Sequence, residues 1–236
     1  LNLFARTTKN GNKGVVFASR DQADGYQNFP TSQYAASTTD RNRSYEVTTV
    51  GGKYAYDFSK SVRLSAMYQR SEVDLDNLRP ARSSARQTGG LQSAFNARTE
   101  HIASGKLDVT PRQDLELFFK GYYHRWDSAY NERLNVSGQP GSTTIISDNE
   151  FWGYRDSGAS VLARFSPDKR LEYFAGYDLQ RYSGRDDVLL IAPNAEVVHA
   201  LFGQVRTTRA LMPKATFALG ARYNAPTHAA NAGVWN

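Results

Sequence analysis

The residues of this 236-residue chain able to do chemistry are narrowed first by an absence: cysteine does not occur, so disulfides, thiolate zinc sites and cysteine nucleophiles are excluded together. The four histidines, His101, His124, His199 and His228, show no HExxH or comparable ligand spacing and are read as structurally unrelated to one another. No GxSxG elbow, P-loop or dinucleotide glycine fingerprint occurs. The carboxylate pairs Asp186-Asp187 and Asp74 with Asp76 fall in polar stretches read as loops, where solvated charge is the ordinary role. The expectation is a protein that is not an enzyme and carries no metal or cofactor. What remains is binding chemistry. Trp126, Tyr130, Trp152, Tyr154 and Tyr182 offer ring faces that suit sugars or aromatic chelators, and Arg82, Arg86 and Arg185 offer guanidinium forks that suit anionic groups. These residues lie within or beside the longer polar segments, so the elements flanking those segments must position them.

Those elements read as strands. Leu171, Tyr173, Ala175, Tyr177 and Leu179 alternate with Glu172, Gly176, Asp178 and Gln180, a period of two that no helix produces. The same split separates Leu115, Leu117, Phe119 and Tyr123 from Glu116, Lys120, Tyr122 and His124. It recurs in Val62, Leu64, Ala66 and Tyr68 against Arg63, Ser65 and Gln69, and in Phe217, Leu219, Ala221 and Tyr223 against Thr216 and Arg222. Weaker versions cover 45–58, 97–109, 151–165 and 197–211, and two shorter strands open the chain, for about ten strands in five hairpins. Short turn signals rich in Pro, Gly, Asn, Asp and Ser punctuate the chain at 9–13, 57–61, 110–113, 166–170 and 212–214, roughly every fifty residues. Between them lie longer polar segments, 21–44, 71–96 and 128–150, expected to be loops.

The alternation is longer than in soluble sheets, whose strands average about five or six residues, and fits the roughly nine to eleven that a tilted membrane-crossing strand needs. Short turns on one side and long loops on the other is the arrangement of outer-membrane barrels. Composition agrees: the chain is polar on average yet carries 14 Tyr, 12 Phe and 3 Trp, as expected where only every second residue meets lipid. Tyr54, Tyr56, Phe58, Phe165 and Tyr173 are placed toward the turns and Tyr68, Tyr123, Tyr182 and Tyr223 toward the loops, as two aromatic girdles. Arg63, Glu116, Lys120, Arg164, Glu172, Asp178, Arg206 and Arg222 are expected on the opposite, lumen-facing side. Arg155, Arg209 and His101 break the phase. Arg155 is placed near a loop end, Arg209 near a turn and His101 at a bulge. The net charge of +6 and the basic run from Arg79 to Arg86 are not accompanied by any nucleic-acid recognition motif, and read as a solvated loop able to meet anionic lipopolysaccharide.

The hairpin Ala163-Arg164-Phe165-Ser166-Pro167-Asp168-Lys169-Arg170-Leu171-Glu172-Tyr173 resembles the turn-and-strand grammar of TonB-dependent outer-membrane receptors. So do Asp57-Phe58-Ser59-Lys60-Ser61-Val62, Asp108-Val109-Thr110-Pro111-Arg112-Gln113-Asp114-Leu115 and Asp24-Gly25-Tyr26-Gln27-Asn28. The resemblance implies an all-β, antiparallel up-and-down transmembrane β-barrel of about 22 strands, of which residues 1–236 form one partial domain. It implies a Gram-negative outer-membrane location and import of a scarce ligand, such as a siderophore-bound iron, cobalamin or a saccharide. The partners implied are outer-membrane lipid, lipopolysaccharide and the TonB complex, reached through a plug not contained in this chain. With neither an initiator Met nor a signal peptide, the chain is read as an internal piece of a longer protein. A passive porin-type channel and a soluble all-β binding protein or adhesin are the alternatives. An upstream plug or signal peptide would separate the first from the receptor, and detergent-free solubility would favour the second.

Overall fold

The computed structural model describes residues 1–26, 43–80, 89–136, 143–187, 191–227 and 234–235. Ten long strands form there: β1 (Asn2–Lys9), β2 (Asn12–Tyr26), β3 (Arg43–Asp57), β4 (Val62–Pro80), β5 (Gly89–Arg112), β6 (Leu115–Val136), β7 (Thr143–Phe165), β8 (Leu171–Asp186), β9 (Ile191–Thr207) and β10 (Ala218–Pro226). A two-residue strand, β11 (Val234–Trp235), pairs with β10. They make one antiparallel up-and-down sheet whose spatial order is the chain order, with β1 and β11 as its open edges. The four clearest alternating segments and the four weaker ones all lie in or overlap these strands, and the short turns join them in five hairpins.

Turn chemistry is local. Asn10 and Gly11 have φ of 48° and 80°, the positive pair that a two-residue hairpin of matching twist requires. In the β7–β8 turn Lys169 is at φ 62°, and the Asp168 carboxylate accepts the backbone N–H groups of Arg170 at 3.0 Å and Leu171 at 3.3 Å. Those two donors hold the Asp168 carboxyl below its ordinary range.

Two of the segments expected to be long loops, 71–96 and 128–150, are mostly strand. β4 runs on to Pro80 and β5 starts at Gly89; β6 runs to Val136 and β7 starts at Thr143. β5, β6 and β7 are thus 24, 22 and 23 residues long. The reason is that ladder hydrogen bonds need only backbone groups, so pairing continues where both faces are polar and period-two alternation disappears. Asp74 and Asp76 accordingly sit in β4, opposite Glu46 and Ser44, rather than in a loop.

Register sorts the side chains onto two faces. On one, the turn-side stretch of each strand is apolar: Leu64 and Tyr68 of β4, Leu107 of β5, Leu117 and Phe119 of β6, Val161 of β7, Tyr173 and Tyr177 of β8, Leu201 and Val205 of β9. These side chains are uncovered, with Phe119 38% and Leu201 62% exposed. About nine residues along, the same face turns charged, at Arg20, Arg70, Arg125, Arg155 and Arg181. Arg155, expected near a loop end, stands near the middle of β7, just beyond the apolar stretch, because β7 runs on to Thr143. Arg209 follows β9 in the turn region.

Three of the histidines turn out to share one construction, which ligand spacing could not reveal. Each sits diagonally across from a tyrosine on the neighbouring strand and receives or shares a hydrogen bond at Nδ1: Tyr68 with His101 at 2.9 Å, Tyr154 with His124 at 3.1 Å and Tyr177 with His199 at 2.6 Å. His101 lies in unbroken register between Arg70 and Arg125, and the irregularities of β5 against β6 fall between Asn96 and Thr99 and between Val109 and Arg112. No bulge is needed at His101: the Tyr68 hydroxyl satisfies it at the polar edge of the apolar stretch. His228 lies outside the described residues.

The second face carries all eight charges assigned to it, and all but Lys120 pair across strands. Arg164 of β7 bridges Glu116 of β6 at 3.1 Å and Glu172 of β8, and Glu172 also takes Arg206 of β9 through Nε at 2.8 Å. Arg222 of β10 reaches Asp178 of β8 at 2.6 Å. This face also carries aromatic rings that lie flat over opposing glycines. A Cβ added to Gly176 would stand 2.2 Å from the Phe202 ring, one on Gly158 2.7 Å from Tyr122, and one on Gly51 2.6 Å from Phe17. Arg222 and Arg206 lie over the rings of Phe202 and Phe174 at 5.5 and 5.2 Å. Aromatics are thus not confined to the borders of the apolar face, and Tyr182, expected among the border tyrosines, faces the other way.

Candidate functional site

The loop-side part of the second face gathers most of the aromatic residues singled out by their chemistry. Trp126 of β6 stands opposite Tyr154 of β7, Ser128 opposite Trp152, and Tyr130 opposite Glu150, because an unbroken register from Leu115 to Tyr130 keeps their parity in phase. Trp126 meets Trp152 edge-on at 5.3 Å and Tyr154 at 5.1 Å. The Arg98 guanidinium of β5 lies 4.5 Å over the Trp126 ring. Enclosed on these sides, Trp126 is only 7% exposed and Tyr130 is buried beside it, so Trp126 acts as the keystone of the cluster. The open aromatic surface belongs to Tyr154 and to Tyr182 of β8, which are 36% and 40% exposed.

Polar groups hold this platform. The His124 Nε2 is 2.8 Å from Glu100 Oε1, and with Nε2–H donating to that carboxylate, Nδ1 accepts the Tyr154 hydroxyl proton. The chain Glu100–His124–Tyr154 therefore spans β5, β6 and β7 and fixes the Tyr154 ring. Burial pushes the Tyr154 hydroxyl above its ordinary range, and the Glu100 and Asp156 carboxylates add to the shift. Burial also raises Tyr182, again with Asp156 contributing. Tyr122 donates to Asp156 at 3.0 Å and Tyr182 to Gln180 at 2.6 Å. Arg98, Glu100 and His124 were not among the candidates from sequence. The signal for them is parity: they share the phase of Trp126 once strand pairing is known.

Arg185 is not part of this cluster. It lies on the opposite face, where Nε and an Nη bind both carboxylate oxygens of Asp187 at 2.6 Å each and hold Asp187 below the usual carboxylate range. Its guanidinium also lies 5.7 Å over Phe151. Arg82 and Arg86 lie outside the described residues.

Chemically, the cluster offers an exposed tyrosine surface, a guanidinium and a carboxylate–imidazole pair. This is equipment for recognising a polar ligand with a flat or ring-shaped face. Among the described residues no group of three or more His, Asp or Glu side chains could hold a metal ion. A second concavity on this face lies toward the turns of β1–β6. It measures about 580 Å³ and is lined by Arg6, Lys13, Lys53, Arg63, Lys106 and Lys120 among others. No helix among the described residues is long and apolar enough to cross a membrane, which leaves crossing by strands open. No protein-family model matches the chain, and no curated protein matches it.

Proposed function

We propose that the chain is part of a transmembrane β-barrel receptor of a Gram-negative outer membrane, which binds a scarce ligand and imports it with TonB-coupled energy. The observation that carries this reading is the exposed apolar stretch, about nine residues tall on each central strand, bounded on the loop side by the Tyr68–His101 and Tyr177–His199 pairs and then by arginines. A soluble single-layer sheet would leave Leu64, Phe119, Val161, Leu201 and Val205 in water without a second layer to cover them. In lipid the same stretch has the height of a bilayer core, and the opposite face, with its paired charges, lines a lumen. Its open edges support further strands completing the barrel, since an edge cannot face hydrocarbon. Tyr154, Tyr182, Arg98 and the Glu100–His124 pair receive the ligand at the outer mouth, and the plug that couples to TonB enters from elsewhere in the protein.

The cysteine-free chain permits a direct test of the faces. Single cysteines placed in turn at residues 159–163 and spin-labelled in the membrane-embedded protein report collision with dissolved oxygen or with a water-soluble nickel chelate. Oxygen accessibility peaks at Ala159, Val161 and Ala163, and nickel accessibility at Ser160 and Leu162. Uniform access by the nickel chelate would overturn the reading. Uptake assays over iron chelates, cobalamin and oligosaccharides then identify the ligand, and Tyr154→Ala with Tyr182→Ala lowers its affinity about tenfold or more, as loss of two ring contacts should.

A further inference from the structure

The concavity on the second face toward the turns of β1–β6 has no part in the aromatic cluster at the loop side. Each of six successive strands places one cation on it, Arg6, Lys13, Lys53, Arg63, Lys106 and Lys120, and among the described residues lining it there is no Asp or Glu. At its middle Ala55 of β3 stands opposite Ser65 of β4, so two short side chains make the floor. Lys13 of β2 flanks Ala55 and Lys106 of β5 flanks Ser65 in the same row across the sheet. On the turn-side half of this face across β6–β10, by contrast, Glu116, Glu172 and Asp178 are matched with Arg164, Arg206 and Arg222. Around the concavity only Asp57 and Asp108 answer, from its turn-side margin, holding Lys13 at 2.8 Å, Arg63 at 3.6 Å and Lys106 at 2.8 Å. Arg6, Lys53 and Lys120 are exposed and form no ion pair among the described residues. Lys120, 5.8 Å over the Tyr122 ring, stands directly opposite Lys106. Like charges directly opposed destabilise a sheet, so the fold keeps here, against its own stability, a positive charge that it neutralises elsewhere on the same face.

We infer that this concavity binds a small organic polyanion carrying two or three phosphate or carboxylate groups. β2 and β5 lie three strand spacings apart, about 14 Å, so a single anionic group does not engage both the Lys13 and the Lys106 walls, whereas groups spaced along one molecule do. Lys53 approaches from the loop side and Lys120 from beyond Lys106, while the Arg6 guanidinium presents a fork to two oxygens of one group. The Ser65 hydroxyl donates from the floor, and Val15 and Met67 offer apolar surface to the carbon skeleton between the charged groups. A volume of about 580 Å³ is that of an ordinary small-molecule pocket. The inference stands on the second face alone and not on the membrane reading above.

The test titrates a hexose bisphosphate and citrate calorimetrically, in low-salt buffer, into the protein folded in zwitterionic detergent micelles, with acetate as the monovalent comparison. A polyanion binds saturably, one per chain, and acetate does not; the tighter of the two polyanions tells phosphate from carboxylate. Lys53→Gln with Lys120→Gln, which leaves the described ion pairs intact, weakens binding about a hundredfold, and Lys53→Arg with Lys120→Arg restores most of it. Ser65→Phe, which changes no charge, fills the floor and weakens binding about tenfold or more. Absence of saturable binding by either polyanion, or wild-type affinity in Ser65→Phe, overturns the inference and leaves the receptor reading standing. Saturable binding of an aspartate-rich peptide but of neither small polyanion overturns it in favour of an acidic polypeptide segment. If Ser65→Phe does not fold, the glutamine variant decides, and wild-type affinity there overturns the inference as well.

Discussion

On β7, Ala159, Val161, Ala163 and Phe165 occupy one face while Ser160 and Arg164 occupy the other, whereas twenty or so ångströms further along the first face carries Arg155 and the second Tyr154 and Asp156. The two halves of the strand also pair their charges differently. On the turn side, Glu116, Arg164, Glu172 and Arg206 form a ladder across four strands. On the loop side of the first face, the described pairs Arg70–Glu72, Arg125–Asp127 and Arg185–Asp187 each join residues two apart in the chain, and Arg20–Glu46 crosses between two strands. Cross-strand ladders tie neighbours together; pairs two residues apart neutralise charge without doing so. Ion pairs therefore tie β6 to β9 together on the turn side of the second face, whereas on the loop side of the first face most of them neutralise charge without joining strands.

The largest expected effect comes from breaking the ladder at its centre. Glu172 is buried between Arg164 and Arg206, so Glu172→Ala leaves Arg206 without its carboxylate and Arg164 with Glu116 alone, and costs about 3 kcal/mol in urea-dependent folding into detergent micelles, the low end for breaking a buried pair because both guanidinium groups reach solvent. Glu72→Ala, which removes a pair lying within β4, changes stability by less than ~0.5 kcal/mol in the same assay. Equal losses at the two sites would erase the distinction between the halves.

Next in size is a charge placed on the first face at two heights. Val161→Arg, in the apolar stretch, costs about 2 to 4 kcal/mol, whereas Thr48→Arg, beside Arg20 and Glu72 on the loop side, costs about 0 to 1. Folding measured in vesicles gives the contrast directly, and its absence in the turn-side half would mean that the stretch does not sit in hydrocarbon. Smaller again is Gly176→Ala, which forces the Phe202 ring off the backbone and out from under Arg222 at a cost of about 1 to 3 kcal/mol. Phe202→Leu in the same background recovers part of that loss.

The difference between the halves also explains what the sequence could and could not reveal. Where one face is apolar and the other charged, alternation is visible in single letters, and β8 from Leu171, β6 from Leu115 and the positions of the short turns follow from it. Beyond Arg125 and Arg155 both faces are polar, so β5, β6 and β7 continue for ten residues or more with no hydrophobic period to mark them. The candidate site lies in that silent half. Trp126, Trp152 and Tyr154 are conspicuous by type, but Arg98, Glu100 and His124 join them only through cross-strand register, which no local pattern states. The Tyr–His pairs are hidden for the same reason, since Tyr68 and His101 are separated by a whole hairpin.

The smallest effect concerns the platform itself and needs no loss of fold. The Tyr154 hydroxyl is raised above the ordinary value of 10.0 by burial and by the Glu100 and Asp156 carboxylates, so the folded state favours its neutral form. Stability from that preference is fully present below the ordinary tyrosine value and is lost as pH rises through the folded one. A difference titration at the tyrosinate absorption band, wild type minus Tyr154→Phe, places this ionisation above 10.0. Glu100→Gln moves it downward by removing the nearest charge that opposes the phenolate, without altering the apolar face. A Tyr154 that ionises at the ordinary value would mean that the Glu100–His124–Tyr154 chain is open, and β5, β6 and β7 would then be linked on the loop side by the stack of Arg98 on Trp126 against Tyr154 without it.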